Sequence, residues 1–395
     1  MTLRRIAAVA TLRYRESARG PLLVFLVAIL VLAAAAALFV PGEPGPERQR
    51  AIDHLVFDLI LFVTALAAAT LGAAPDPADR AAGRDAVLGA GPLRTWERLV
   101  GAWLGHGTGL LILLCGAVAG SMAVTEVLSG GEADRPPTRR PVHAATLEGP
   151  DGRPAKRAVL LAKPGEHAVF TVPRRPGGPE SPEVTVRIAP LATPSAREFP
   201  ETFTVGVKTG DGPVREVRVL RGEPLRYHPL PGEDVTRIEI RRTGPAWTLA
   251  LFPDGLIVEG APGSRSANLG KALLAWLGGL MVLAAAAAAL GSFVQAPVAV
   301  FGTLLVALVG RSLGFLDETA GYLAAGGGGG DLAGSLLGGL VAIWPDLSAA
   351  DLFGPVAVGF DIEPARLLGR AAATAGGAGA FLAAAWAIAA WRRRR

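Results

Sequence analysis

The chain has one cysteine, Cys115, and only four lysines: Lys156, Lys163, Lys208 and Lys271. A single cysteine inside an apolar run can form neither an internal disulfide nor a thiolate metal site. The basic charge is almost all arginine, and the formal net charge is +5. Arginine without a basic patch interleaved with aromatic platforms excludes a nucleic-acid partner. The histidines, His54, His106, His143, His167 and His228, are scattered and have no metal-ligand spacing. There is no Gly-x-Ser-x-Gly elbow for a hydrolase nucleophile. There is no P-loop either. Gly270-Lys271 is followed by Ala272, and the run Gly326–Gly330 carries no lysine to reach a phosphate. The chain therefore reads as a non-enzyme with no cofactor, metal or ATP site of its own.

What the sequence has in excess is apolar residues, 51% of the total, gathered into long runs between stretches rich in Arg, Pro and Glu. About 20 residues of helix match a hydrocarbon core about 30 Å thick. The runs Pro21–Val40, Leu55–Ala74, Leu99–Leu128, Ala272–Val294, Val298–Leu316 and Ala371–Trp391 are each long enough. Pro21–Val40 is preceded by a long arm and followed by Pro-Gly-Glu rather than a small-residue cleavage site, so it reads as a retained span and not a signal peptide. The run Leu332–Ile343 is too short to span and stops at Trp344-Pro345-Asp346, which suits a re-entrant or interfacial segment over residues 332–352.

Arginine in the short flanks sets the orientation. Arg4, Arg5, Arg13, Arg15 and Arg19 precede the first run, Arg80, Arg84, Arg94 and Arg98 lie between the second and third, and Arg392–Arg395 follow the last. With six spans, all three groups fall on one side. The expectation is a multi-pass protein of a bacterial cytoplasmic membrane with both termini in the cytoplasm, in contact with membrane lipid.

That topology leaves residues 129–267 outside. After a Pro- and Arg-rich linker, Glu132–Pro141, strand-like runs recur: Arg157–Leu161, His167–Val172, Glu183–Ile188, Thr202–Val207, Val214–Leu220, Val235–Arg241, Trp247–Phe252 and Leu256–Glu259. Turn signals such as Gly210-Asp211-Gly212 and Pro253-Asp254-Gly255 separate them. Short strands at this spacing predict a β-sandwich. The predicted fold class is an α-helical polytopic membrane protein with about six transmembrane helices and an inserted extracytoplasmic all-β, sandwich-like domain. The parts are residues 1–128, 129–267 and 268–395.

The stretch Ala78–Gly105 resembles the loop and helix start of type-2 ABC exporter permeases. Gly83, Pro92, Glu97, Gly101 and Gly105 fit that pattern, Ala102 replaces a usual lysine, and Ala81-Ala82 replace an acidic pair. Residues 2–19 are similar to the amphipathic interfacial helix that opens these permeases, and Ile343–Leu352 to a Pro-Asp-Leu stretch before their last span. The resemblance covers the membrane portions and not the outer domain. It implies a cytoplasmic coupling loop, 75–98, whose short helix at Arg84, Asp85, Val87 and Leu88, stopped near Pro92, docks on a separate ATPase that binds the ATP. It also implies a second permease subunit, as a homo- or heterodimer. An ordinary solvated loop is the alternative reading of that stretch.

Charges inside spans are costly and often functional. Asp58, Glu126 and Arg311 fall at similar depth, so an Arg311–Asp58 or Arg311–Glu126 pair would pin an outer gate; snorkelling to the interface is the alternative. Gly101, Gly105 and Gly109 have the small-xxx-small spacing that lets helices approach closely, within the subunit or across a dimer face. The function expected is ATP-driven export of an unidentified cargo, with a further extracytoplasmic partner for the β-domain. The competing function is a non-transporting scaffold or sensor whose β-domain binds an envelope component.

Overall fold

A computed structural model describes residues 2–19, 21–41, 46–73, 94–129, 139–143, 146–155, 159–172, 183–192, 201–220, 223–230, 233–243, 247–313, 315–316, 319–320, 330–348, 350–357, 359, 362 and 364–392. The chain divides into two compact units, Met1–Pro136 with Arg265–Arg395, and Pro137–Ser264.

The first unit is helical: α1 (Thr2–Ala18), α2 (Pro21–Phe39), α3 (Pro46–Ala73), α4 (Thr95–Ser129), α5 (Arg265–Gly291), α6 (Ala296–Arg311), α7 (Gly330–Ile343), α8 (Phe353–Ala357) and α9 (Pro364–Arg392). Among the described residues, α2, α3, α4, α5 and α9 contain segments long and apolar enough to cross a membrane. This is a polytopic membrane protein. The expected span Val298–Leu316 begins as the 16-residue α6, about 24 Å long, and helical residues resume past Ser312 at Leu313, Phe315 and Leu316. The α6 helix ends at Arg311, where the Ser312 amide caps the carbonyls of Leu308 and Val309.

The contacts fix the helix directions. Asp53 meets Arg265, Thr64 meets Trp276, and Ala73 lies against Gly291. Hence α3 and α5 run the same way. Their far ends press backbone on backbone: a Cβ on Gly291 would come within 2.7 Å of the Ala73 carbonyl oxygen. The run Ala284–Ala287 of α5 is buried there. Hydrocarbon gives apolar helices little reason to associate, so close packing of small residues carries the contact. Two indole groups add specific bonds, Trp276 Nε1 to Thr64 Oγ1 at 2.9 Å and Trp103 Nε1 to the Met281 carbonyl at 2.9 Å.

Contacts along α4 place α1 and α2. A Cβ on Gly101 would meet Val9, one on Gly105 the Ala10 carbonyl, one on Gly109 Leu22, and one on Gly120 Leu30. Positions rise together on both sides, so α1 and then α2 run alongside α4 in its own direction. Thus α1 is a packed partner of α4. The physical reason is the glycine groove, which admits its backbone. Glu97 secures the start of α4: its Oε2 accepts the Arg94 amide at 2.9 Å and lies 3.9 Å from the Arg5 guanidinium. Such a reach-back from the third helical residue is half of a capping box.

Among the described residues the second unit holds ten strands: β1 (Arg139–His143), β2 (Thr146–Glu148), β3 (Val159–Leu161), β4 (His167–Thr171), β5 (Val184–Ala192), β6 (Thr202–Thr209), β7 (Arg215–Leu220), β8 (Leu225–Tyr227), β9 (Arg237–Arg242) and β10 (Trp247–Pro262). They form two five-stranded sheets, one ordered β1-β10-β5-β8 with β3 also on β10, the other β2-β4-β9-β6-β7. Val184, Val186 and Ile188 of the first sheet share one core with Val205, Val207, Ile238 and Ile240 of the second. Two expectations change here. The end of the expected linker, Arg139–Pro141, belongs to β1, where Pro141 is tolerated because β1 is an edge strand. The expected strands at Trp247–Phe252 and Leu256–Glu259 are one strand with a register shift between Leu251 and Leu256.

Glu233 ties the unit together. Its carboxylate accepts Thr209 Oγ1 at 2.7 Å, Arg215 at 2.9 Å, the Leu230 amide at 3.1 Å and Tyr227 Oη at 3.2 Å. Thr209 and Arg215 belong to one sheet and Tyr227 to the other. Burial pushes this carboxyl up, but the bonds from Thr209 and Leu230, the Arg215 charge and the Tyr227 hydroxyl outweigh it and hold it below the usual carboxylate range. A depressed folded-state value contributes stability above the unfolded value, and that stability is lost as pH falls through the folded one. Glu233→Gln should cost about 1–3 kcal/mol, read as lost amide-exchange protection of β6–β8 in the intact chain. In the unaltered chain the same protection should fade as pH drops below about 4, and this acid step should be absent from the variant.

Candidate functional site

Between α6 and α9 the chain folds back into the helical unit. Residues 344–352 contain no α-helix among those described. The Leu347 and Ser348 amides both reach the Gly310 carbonyl, each at 3.2 Å. Trp344 Nε1 donates to the Val306 carbonyl at 3.2 Å. The approach is close enough to require glycine: a Cβ on Gly310 would lie 2.8 Å from the Pro345 carbonyl oxygen. On the other side, Ala350 and Leu347 face Gly279. Gly279 is about 21 Å along an α5 about 40 Å long, so the segment reaches the middle of the bundle. Leu347, Ala350, Leu352 and Phe353 are buried. Non-helical backbone is tolerated at membrane depth only where protein covers it or it lines a cavity. Here the free C-terminal carbonyl of α6 and the segment's own turns supply the bonds.

This placement assembles a charge cluster. The Arg311 guanidinium donates to Asp351 Oδ2 at 2.8 Å and lies 3.6 Å from Asp58 Oδ1. Asp351 Oδ1 also accepts the Phe353 amide at 3.3 Å and so starts α8. The Phe353 ring packs on Phe57, beside Asp58, with centroids 4.9 Å apart. His54, one turn before Asp58, is within electrostatic reach of Asp351. The cluster thus joins α3, α6 and the re-entrant segment through one arginine and two carboxylates.

Asp58 and Arg311 therefore stand together. Glu126 is exposed near the end of α4, and the ion pairs of Arg311 among the described residues go to Asp58 and Asp351. The second acceptor, Asp351, was not foreseen from the sequence. Its signal was available: a Trp-Pro stop after an apolar run too short to span, followed by an acidic residue in a Leu-rich stretch. Gly101, Gly105 and Gly109 face α1 and α2 of the same chain. The positions expected to form the coupling helix, Arg84, Asp85, Val87, Leu88 and Pro92, lie outside the described residues.

A second polar tether stands where α3 and α5 begin. Arg265 meets the buried Asp53 at 2.9 Å, and Gln49 Nε2 donates to Asp53 Oδ1 at 3.0 Å. Nearby, Asn268 Oδ1 accepts the Ile362 amide at 2.7 Å and Lys271 Nζ donates to the Ile362 carbonyl at 2.8 Å. These bonds fix the point from which α9 starts.

No protein-family model matches this chain, and neither the curated proteins nor the solved structures contain a match.

The two carboxylates differ in their hold on Arg311. Asp351 is 19% exposed and makes the short bond, whereas Asp58 is 65% exposed at the longer distance. Asp351→Asn should therefore cost about 1–2 kcal/mol and Asp58→Asn less than about 0.5 kcal/mol, measured as melting of the purified chain. Arg311→Ala should cost at least as much as Asp351→Asn, and the two together no more than Arg311→Ala alone. Fully additive losses would show that the pair is not coupled.

Proposed function

We propose that this chain is the membrane-spanning subunit of an ABC-class exporter, energised by a separate ATPase and working beside a second permease subunit. The observation that carries the reading is the re-entrant segment docked midway along α5, with Arg311, Asp351 and Asp58 gathered at its edge. An anchor needs only continuous helices. A broken segment with ionisable groups deep in a bundle is the arrangement used where something must pass or where two states must be held.

The sequence resemblance supplies the energy source. The loop that follows α3 leads directly into α4, whose first turn is gripped by α1 through Gly101, Gly105 and the Glu97–Arg5 contact. A push on that loop would move α1 and α4 together. The stiff α3–α5 pair, joined at both ends, would resist it. Relative movement of these two groups would be felt at α6 and the re-entrant segment, where Arg311 bridges them. In this reading the arginine holds the far gate closed until the ATPase closes. With the loop on the cytoplasmic side, both termini are cytoplasmic and residues 137–264 face outward.

The test is purification of the native complex in mild detergent, followed by mass spectrometry of the accompanying chains. An ATPase with a phosphate-binding P-loop should co-purify. It should be lost when residues 84–88 are scrambled and retained when Arg311 is replaced. A preparation free of ATPase that captures an envelope component through the β unit would instead establish a scaffold.

A further inference from the structure

A cavity of about 450 Å³ lies between α4, α5 and α9. Trp103 of α4, Leu274, Gly278 and Met281 of α5, and Ala371 and Ala375 of α9 form much of its wall. The size is that of a small-molecule site, but its chemistry is unusually plain. Among the described residues the wall contains no charged one. Its two polar side chains, Trp103 and Thr374, are already bonded, the indole N–H to the Met281 carbonyl at 2.9 Å and the Thr374 hydroxyl to the Ala371 carbonyl at 3.0 Å. The described part of the wall therefore offers an incoming polar molecule no unbonded side-chain group. Water is also poorly served, since a buried water needs two to four polar partners.

Location narrows the occupant further. All three helices carry candidate membrane spans, so the surrounding phase is hydrocarbon. The wall on α9 runs from Leu367 to Ala378, about 16 Å of helix, giving an elongated shape. The packing of α9 points the same way. Only 11% of its spanning window is buried, against 56% for α5. It runs along α5, where Gly278 meets Thr374 and Gly377 meets Val282. The cavity flanks that contact.

We infer that this cavity is a binding site for a lipid acyl chain, which enters from the bilayer and completes the packing of α9 against α4 and α5. The site recognises hydrocarbon alone, so the headgroup remains outside it. The inference needs only the membrane placement of these helices and stands apart from the coupling to an ATPase.

The test uses the full chain in phosphatidylcholine vesicles containing a phospholipid with a diazirine at the end of one acyl chain. After irradiation, adducts are mapped by mass spectrometry. Adducts should concentrate on the cavity-lining parts of α5 and α9, well above those on α2, whose exposed Leu23, Val24 and Val27 report bulk lipid. Ala375→Phe, which fills the cavity, should lower that labelling about tenfold, equivalent to about 1.4 kcal/mol. Ala384→Phe, on the same helix outside the wall, should leave it unchanged. If Ala375→Phe does not fold, Ala371→Val should still lower labelling in part. Labelling equal to that of α2, or unaffected by filling, would overturn the inference. So would efficient disulfide-linked dimers of Ala375→Cys without acyl adducts, which would make the occupant a second copy of the chain.

Discussion

In hydrocarbon an apolar helix gains little from an apolar neighbour, and an unbonded backbone group costs several kcal/mol. This double constraint organises the helical unit. Association must come from close contact, so the tight interfaces are built on glycine and alanine. Ala73 meets Gly291 between α3 and α5, and Gly101 and Gly105 admit α1 to α4. Backbone bonds must close internally, so every departure from helix needs a local acceptor. The re-entrant segment is possible because α6 ends where it does, leaving the Gly310 carbonyl free to accept two amides.

The same constraint explains why α6 is short. A helix running unbroken through Arg311 would have kept the Gly310 carbonyl bonded within it and closed to the returning segment. Ending the helix at Arg311 puts the guanidinium where a returning segment can supply Asp351. The charge, the break and the carboxylate are one device: each would be unfavourable without the other two. Both carboxylates face one guanidinium nitrogen, Asp351 at 2.8 Å and Asp58 at 3.6 Å.

Much of this was legible in the sequence, for identifiable reasons. Long apolar runs identify spans without tertiary information, because a bilayer imposes one length on all of them. The β unit was legible because strands such as Val184–Ile188 alternate cleanly between core and surface. What was lost depended on pairing partners distant in the chain. Short strands such as β2 and β8 carry three residues each, too few to show a period. Pro141 read as linker because an edge position cannot be recognised before the sheet is known. The packing of α1 depends on a glycine groove about 90 residues onward in α4. Asp351 was invisible as a partner of Arg311 for the same reason: 40 residues separate them, and only the fold-back unites them.

The charge balance of the cluster carries one more consequence. One arginine faces two carboxylates, so the group is not neutral unless a proton, His54 or an outside cation contributes. Asp351 is held by a short bond and by the Phe353 amide, which commits it to the structure. Asp58 is mostly open, and its ion pair with Arg311 is the longer of the two. Strong and weak attachment to a single arginine is what a latch requires: one bond keeps the segment in place, and the other can be exchanged without unfolding it. A cluster built only for stability would bury both carboxylates equally or replace all three charges with apolar contact, which is often at least as stable. The unequal pair leaves Asp351 as the tightly held partner of Arg311 and Asp58 as the loosely held one.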